Sequence, residues 1–173
     1  MTLTARVASS RNTMLVVRLC TALALTLLGA ESALAAWSCS ISVTPLSFGT
    51  YDVFSATPDD STATLSVTCT QVSTPVGNLP VTASLSQGSS GSYATRRMTS
   101  GVNLLSYNMY ANATRTTIFG DGTAGTSTIS GTFPFTAVGQ NVTGTGTIYG
   151  RIPAGQDVAV GSYSDSIVAT VTW

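Results

Sequence analysis

The sequence predicts an all-β chain, an Ig-like β-sandwich that lacks its final strand, on three observations. Apolar and polar residues alternate with period 2 in segment after segment, and turn formers interrupt them at short intervals. No stretch beyond residue 35 carries a convincing helical pattern, and the spacing suits a sandwich of immunoglobulin size. The last such segment ends the chain in mid-pattern. Tyr163, Ile167, Ala169, Val171 and Trp173 share one parity, with Asp165 as the exception, and no turn or partner strand follows. An edge along this strand is therefore expected to be left open.

The elements follow in order. A first strand over 38–48 carries Ile41, Val43, Leu46 and Phe48, and Pro45, which cannot donate to a ladder, places it at an edge or breaks it. Gly49–Asp52 and Ala56–Ser61 are turn and loop segments. A clean strand over 62–70 turns Ala63, Leu65, Val67 and Cys69 inward and Thr64, Ser66 and Thr68 outward. Val81, Ala83 and Leu85 make a short strand, 93–98 a brief one, and 104–111 a stronger one. Phe133 and Phe135 flank Pro134 in an edge segment, and 142–152 is a glycine-bearing strand with Ile148 and Ile152 inward. Six or seven strands are expected in one domain, residues 36–173. No internal repeat or linker divides them.

Residues 1–35 read as a secretory leader. Arg6, Arg11 and Arg18 precede an apolar run of about ten residues beginning at Leu19, and Ala33-Leu34-Ala35 supplies the small-residue cleavage pattern. Cleavage is expected after Ala35 or Ala36. The run is far shorter than the roughly twenty residues that span a bilayer, so no membrane span remains after cleavage. Cys20 leaves with the leader. Cys39 and Cys69 remain, and in an oxidising compartment a lone pair is most simply one disulfide. Two thiols are too few for a metal site, and none is expected.

The chemistry that is missing narrows the function. The sequence has no His and no Lys, and its only Glu is Glu31 in the leader. Beyond residue 35, six aspartates face four arginines for a formal charge of −2, which provides no basic footprint for nucleic acid. A Ser-His-Asp arrangement is impossible, and general acid–base catalysis loses its usual residues. Asp59-Asp60 reads as a pair of solvated turn residues rather than a carboxylate dyad, and Asp121 in Gly120–Thr123 as a turn rather than a Ca²⁺ loop. Asn112-Ala113-Thr114 and Asn141-Val142-Thr143 match glycosylation sequons that arise easily in a Thr-rich chain. Arg96-Arg97 reads as a solvated edge. Neither an enzyme nor a cofactor is expected.

Several motifs together resemble the spore coat protein U family. They are Cys39 with Phe48-Gly49-Thr50-Tyr51 and Val67-Thr68-Cys69, Leu105–Tyr110 with the Gly120–Thr123 loop, and Tyr149–Pro153, Gln156 and Gly161–Asp165 at the end. They occur in the family's order across residues 39–165. The resemblance implies a secreted subunit of the archaic chaperone–usher pilus type, with an Ig-like sandwich lacking its last strand. It further implies donor strand complementation: a periplasmic chaperone lends a strand, an outer-membrane usher assembles the fibre, and a neighbouring subunit replaces the lent strand. Adhesion or biofilm pili and a spore coat are the settings implied, both at the cell surface after export through the periplasm.

The expected chaperone and donor-strand interface is therefore Tyr163, Ile167, Ala169, Val171 and Trp173. One departure stands out. Only Ala36-Trp37-Ser38 precedes Cys39 in the processed chain, fewer than the roughly five residues of a strand. The chain is expected to receive a strand and to give none, as a tip-like or terminal subunit. The competing reading is a self-contained secreted surface or carbohydrate-binding module, which requires the last edge to be closed within the chain.

Overall fold

The computed structural model describes residues 2–7 and 36–173. The apolar run from Leu19 and the Ala33-Leu34-Ala35 pattern lie outside the described residues. The strands are β1 (Thr2–Val7), β2 (Trp37–Val43), β3 (Asp59–Gln71), β4 (Asn78–Leu85) and β5 (Arg96–Ser100). They continue with β6 (Asn103–Tyr110), β7 (Ile129–Pro134), β8 (Asn141–Ile152) and β9 (Ser166–Thr172). Gly88–Ser90 forms one short 3-10 turn. The strands build a sandwich of two sheets, ordered β2-β3-β8-β6-β5 and β1-β9-β4-β7.

Alternation places the core between them. Ala63, Leu65, Val67 and Cys69 of β3 are buried, as are Leu79, Val81, Ala83 and Leu85 of β4. Ile148 and Ile152 of β8 and Ile167, Ala169 and Val171 of β9 join the same cluster. The opposite face of β3 carries Thr and Ser: the Thr68 and Thr143 hydroxyls, one on β3 and one on β8, lie 2.8 Å apart. Cys39 and Cys69 are register partners on β2 and β3 and are joined as a disulfide. β2 stops at Val43, two residues before Pro45, and forms one margin of its sheet. Pro134 is accommodated the same way, on β7 at the margin of the other sheet. Gly144 is needed by packing rather than by backbone angle, since a Cβ there would lie 2.6 Å from Cε1 of Phe133.

Two expectations shift. From residue 36 onward eight strands form rather than six or seven, and the strand expected over 93–98 begins at Arg96 and runs to Ser100. Asp59 and Asp60 are not loop residues but the first two positions of β3. The cause is a cross-strand pair: Asp60 is the register partner of Arg151 on β8. Arg151 donates from Nε to Asp60 Oδ1 at 2.7 Å and from NH2 to Oδ2 at 2.8 Å. Arg115 adds a third contact at 3.3 Å.

The Arg151 hydrogen bond holds the Asp60 carboxyl below its ordinary pKa, while burial raises that of Asp59. A depressed folded-state pKa contributes stability above the unfolded value, near 3.9 for Asp, and that contribution disappears as pH falls through the folded value. The Asp60 side chain is 35 % exposed, so solvent screening limits the effect. Asp60→Asn is expected to lose less than about 1 kcal/mol at pH 7 in urea titrations, and the difference from the wild type should shrink as pH falls below the ordinary Asp range.

Candidate functional site: the outer edge of β9

Strand β9 has two edges. β4 takes one, pairing antiparallel from Thr82↔Thr172 to Leu85↔Ala169. β1 takes the other, pairing parallel from Thr2↔Ser166 to Val7↔Val171. In this register Leu3, Ala5 and Val7 stand opposite Ile167, Ala169 and Val171, the three fully buried residues of β9. β1 also runs beside β2, the marginal strand of the facing sheet. The outer edge of β9 thus accepts an extended segment, and that segment comes from within the predicted leader.

The five residues expected to mark this edge separate into groups. Ile167, Ala169 and Val171 lie on β9 with their side chains in the core, so what they offer outward is backbone hydrogen bonding. Trp173 is half-buried and follows the last strand residue. Tyr163 precedes the strand, and its hydroxyl donates to the Ala159 carbonyl at 2.7 Å. The segment leading into β9 forms one wall of a cleft of about 790 Å³, faced by Phe48, Tyr51, Met98 and Leu105. Phe54 and Val160, both almost wholly exposed, also line it.

A buried polar cluster fixes where β9 begins. Asp165 is 5 % exposed. Its Oδ1 accepts from the Ser89 and Ser166 backbone N–H groups at 3.0 and 2.8 Å, and its Oδ2 from the Tyr107 hydroxyl at 2.8 Å. Burial and the neighbouring Asp165 push the Tyr107 hydroxyl well above its usual pKa, so it stays protonated and donates. Gly88 sits beneath this carboxylate with φ +71°, and a Cβ there would collide with Asp165 Oδ2 and Ile167 Cδ1.

Arg96 overturns its expected role as a solvated edge residue. It is completely buried, whereas Arg97 is exposed. Its Nε and NH2 donate to the Ser86 carbonyl at 3.1 and 2.8 Å, NH2 also to the Phe119 carbonyl at 2.8 Å, and NH1 to Asn108 Oδ1 at 2.8 Å. Asn108 in turn donates to the Tyr93 carbonyl at 2.8 Å. The guanidinium lies 5.2 Å from the centroid of the Tyr93 ring. Burial lowers the Arg96 pKa, yet guanidinium starts so high that it remains charged. A five-donor fork suits several carbonyls at once, which explains an arginine in the core. The sequence did carry a signal. Arg96 shares the inward parity of Met98, and Asp165 interrupts the inward face of its own segment.

Among the described residues, no group of three or more His, Cys, Asp or Glu could hold a metal ion, and no helix is long and apolar enough to cross a membrane. Together these features describe an all-β, disulfide-joined sandwich domain whose outer β9 edge is paired by β1 and whose interior holds a buried polar cluster. The chain matches the Spore Coat Protein U domain family over residues 24–170 and belongs to that family, which is associated with spore coat or pilus-like surface proteins. It is 38% identical over 135 residues to Protein U of Myxococcus xanthus, covering 74% of this chain and 71% of that protein.

Proposed function

We propose that this chain is a secreted structural subunit of a surface fibre or coat, completed by a strand that another chain donates along β9. The observation that carries this reading is the parallel ladder between β1 and β9. Its occupant belongs to the predicted leader, so removing residues 1–35 vacates the edge and uncovers the apolar gap beside β2. Strand addition is the general way to fill such a gap: backbone bonds set register and alternate side chains fill pockets. Three or four apolar donor side chains would stabilise the subunit by roughly 5–10 kcal/mol, which matches the whole stability of an ordinary domain. The processed subunit alone is therefore aggregation-prone.

The partners in this reading are a periplasmic chaperone, an outer-membrane usher and neighbouring subunits, with the finished protein at the cell surface. With only three residues ahead of Cys39, the processed chain accepts a strand and donates none, which suits a tip-like or terminal position supporting adhesion or biofilm formation. Co-expression with a cognate periplasmic chaperone is expected to give a soluble 1:1 complex. Expression of the processed chain without it should give degraded or aggregated protein. A stable, soluble monomer made alone sinks the reading.

The same ladder favours a second reading if the leader is retained. With Thr2–Val7 in place the sandwich closes within one chain, as a self-contained secreted binding module would. The mass of the secreted protein separates the two.

A further inference from the structure

We infer that the mature chain begins at Ala36, and that the side-chain amide of Gln71 is the docking site for its new N-terminal ammonium; this rests on the leader reading above. Gln71, the last residue of β3, is fully buried and stands directly opposite Trp37 on β2. The Ala36 carbonyl accepts from Val72 N–H at 2.8 Å, Ser73 N–H at 3.3 Å and Gln71 Nε2 at 3.2 Å. The same Nε2 faces the Ser73 carbonyl and, at 2.9 Å, the Pro75 carbonyl. Three carbonyls around Nε2 fix the orientation of the amide, because an oxygen there would be repelled. The other end, Gln71 Oε1, is buried and has no hydrogen-bond partner among the described residues.

Two consequences follow for where the chain is cut. Cleavage after Ala36 would remove the carbonyl that receives Val72, Ser73 and Gln71, stranding donors at the end of the β2–β3 ladder. Cleavage after Ala35 keeps it, and also places the small residues Ala33 and Ala35 where the processing pattern requires them. That cut changes the nitrogen of Ala36 as well. As a peptide nitrogen it has one hydrogen fixed in the amide plane. As a terminal ammonium it has three donors that rotate about the N–Cα bond. Nε2 of the same amide holds the Ala36 carbonyl at 3.2 Å, and the inference sets the Ala36 ammonium against its Oε1. A stranded acceptor becomes one end of a charge-assisted hydrogen bond. The mature N-terminus is then tied to the body of the sandwich two rungs from the Cys39–Cys69 bridge.

The absence of lysine makes the test direct, because the α-amine is the sole primary amine of the processed protein. The chain, expressed with its own leader and recovered from the secreted fraction, is analysed by intact mass and N-terminal sequencing. It is then reacted with an N-hydroxysuccinimide ester at pH 7. The expected start is Ala36, and the expected labelling of the folded protein is at least about five-fold slower than that of the unfolded chain. Gln71→Met should bring labelling of the folded protein to within about two-fold of the unfolded rate. A start at Trp37, or wild-type labelling as fast folded as unfolded, overturns the inference while leaving the leader reading intact. A mass that retains residues 1–35 overturns the leader reading itself. Should Gln71→Met fail to fold, the start of the secreted chain and the folded-against-unfolded comparison of the wild type still decide.

Discussion

Replacing Arg96 with methionine is expected to remove about 3–5 kcal/mol of folding stability, whereas Arg97→Ala stays within about 0.5 kcal/mol. The two residues are neighbours in sequence and opposite in consequence. Arg96 donates four hydrogen bonds, two to the Ser86 carbonyl and one each to the Phe119 carbonyl and Asn108. Methionine fills a similar volume, so the loss is polar rather than a cavity effect. It strands acceptors that burial has already removed from water, at about 1–3 kcal/mol each. It also removes a positive charge that interacts with the buried Asp165, which anchors the start of β9. Arg96→Lys should fall between the two, since an ammonium keeps the charge but not the fork. Urea unfolding with an unchanged slope measures each variant, and a loss below about 1 kcal/mol for Arg96→Met contradicts the bracing role.

The contrast between those arginines shows what the sequence made legible. Alternation located β3, β8 and β9 and named their inward residues, because a strand with one buried face leaves a period-2 record. Pro45 and Pro134 marked sheet margins because a missing N–H has few other places to go. The polar core left a weaker trace. A buried charge is tolerable only when partners distant in sequence meet it, and Arg96 needs Ser86, Asn108 and Phe119 together. Asp59 and Asp60 were misplaced for a related reason: turn propensity is local, but Arg151 lies 91 residues away. As for the site, the alternation drew attention to β9 itself. Its occupant, β1, sits in a stretch whose charge pattern reads as a leader, and leader chemistry conceals strand pattern.

Removing the disulfide is the second large effect. The double variant Cys39→Ala with Cys69→Ala should lose about 3–4 kcal/mol, because the bridge closes a loop with a sequence separation of 30 in the unfolded chain. Alanine is preferred to serine because Cys69 is completely buried and a hydroxyl would enter the core unpaired. The loss should concentrate at β2. Among the described residues this strand has β3 as its sole partner in its sheet, stops short of Pro45, and runs beside the place that β1 occupies. Without the covalent tie, β2 is free to fray from β3, and the place that β1 occupies beside it loses one wall. The unfolding midpoint in urea should therefore drop, and on the proposed reading strand acceptance falls with it, so that less complex is recovered on co-expression with a periplasmic chaperone. Wild-type protein treated with reductant should follow the double variant on both measures. If the double variant keeps wild-type stability, β2 is held by its ladder alone and the bridge does not shape the acceptor edge.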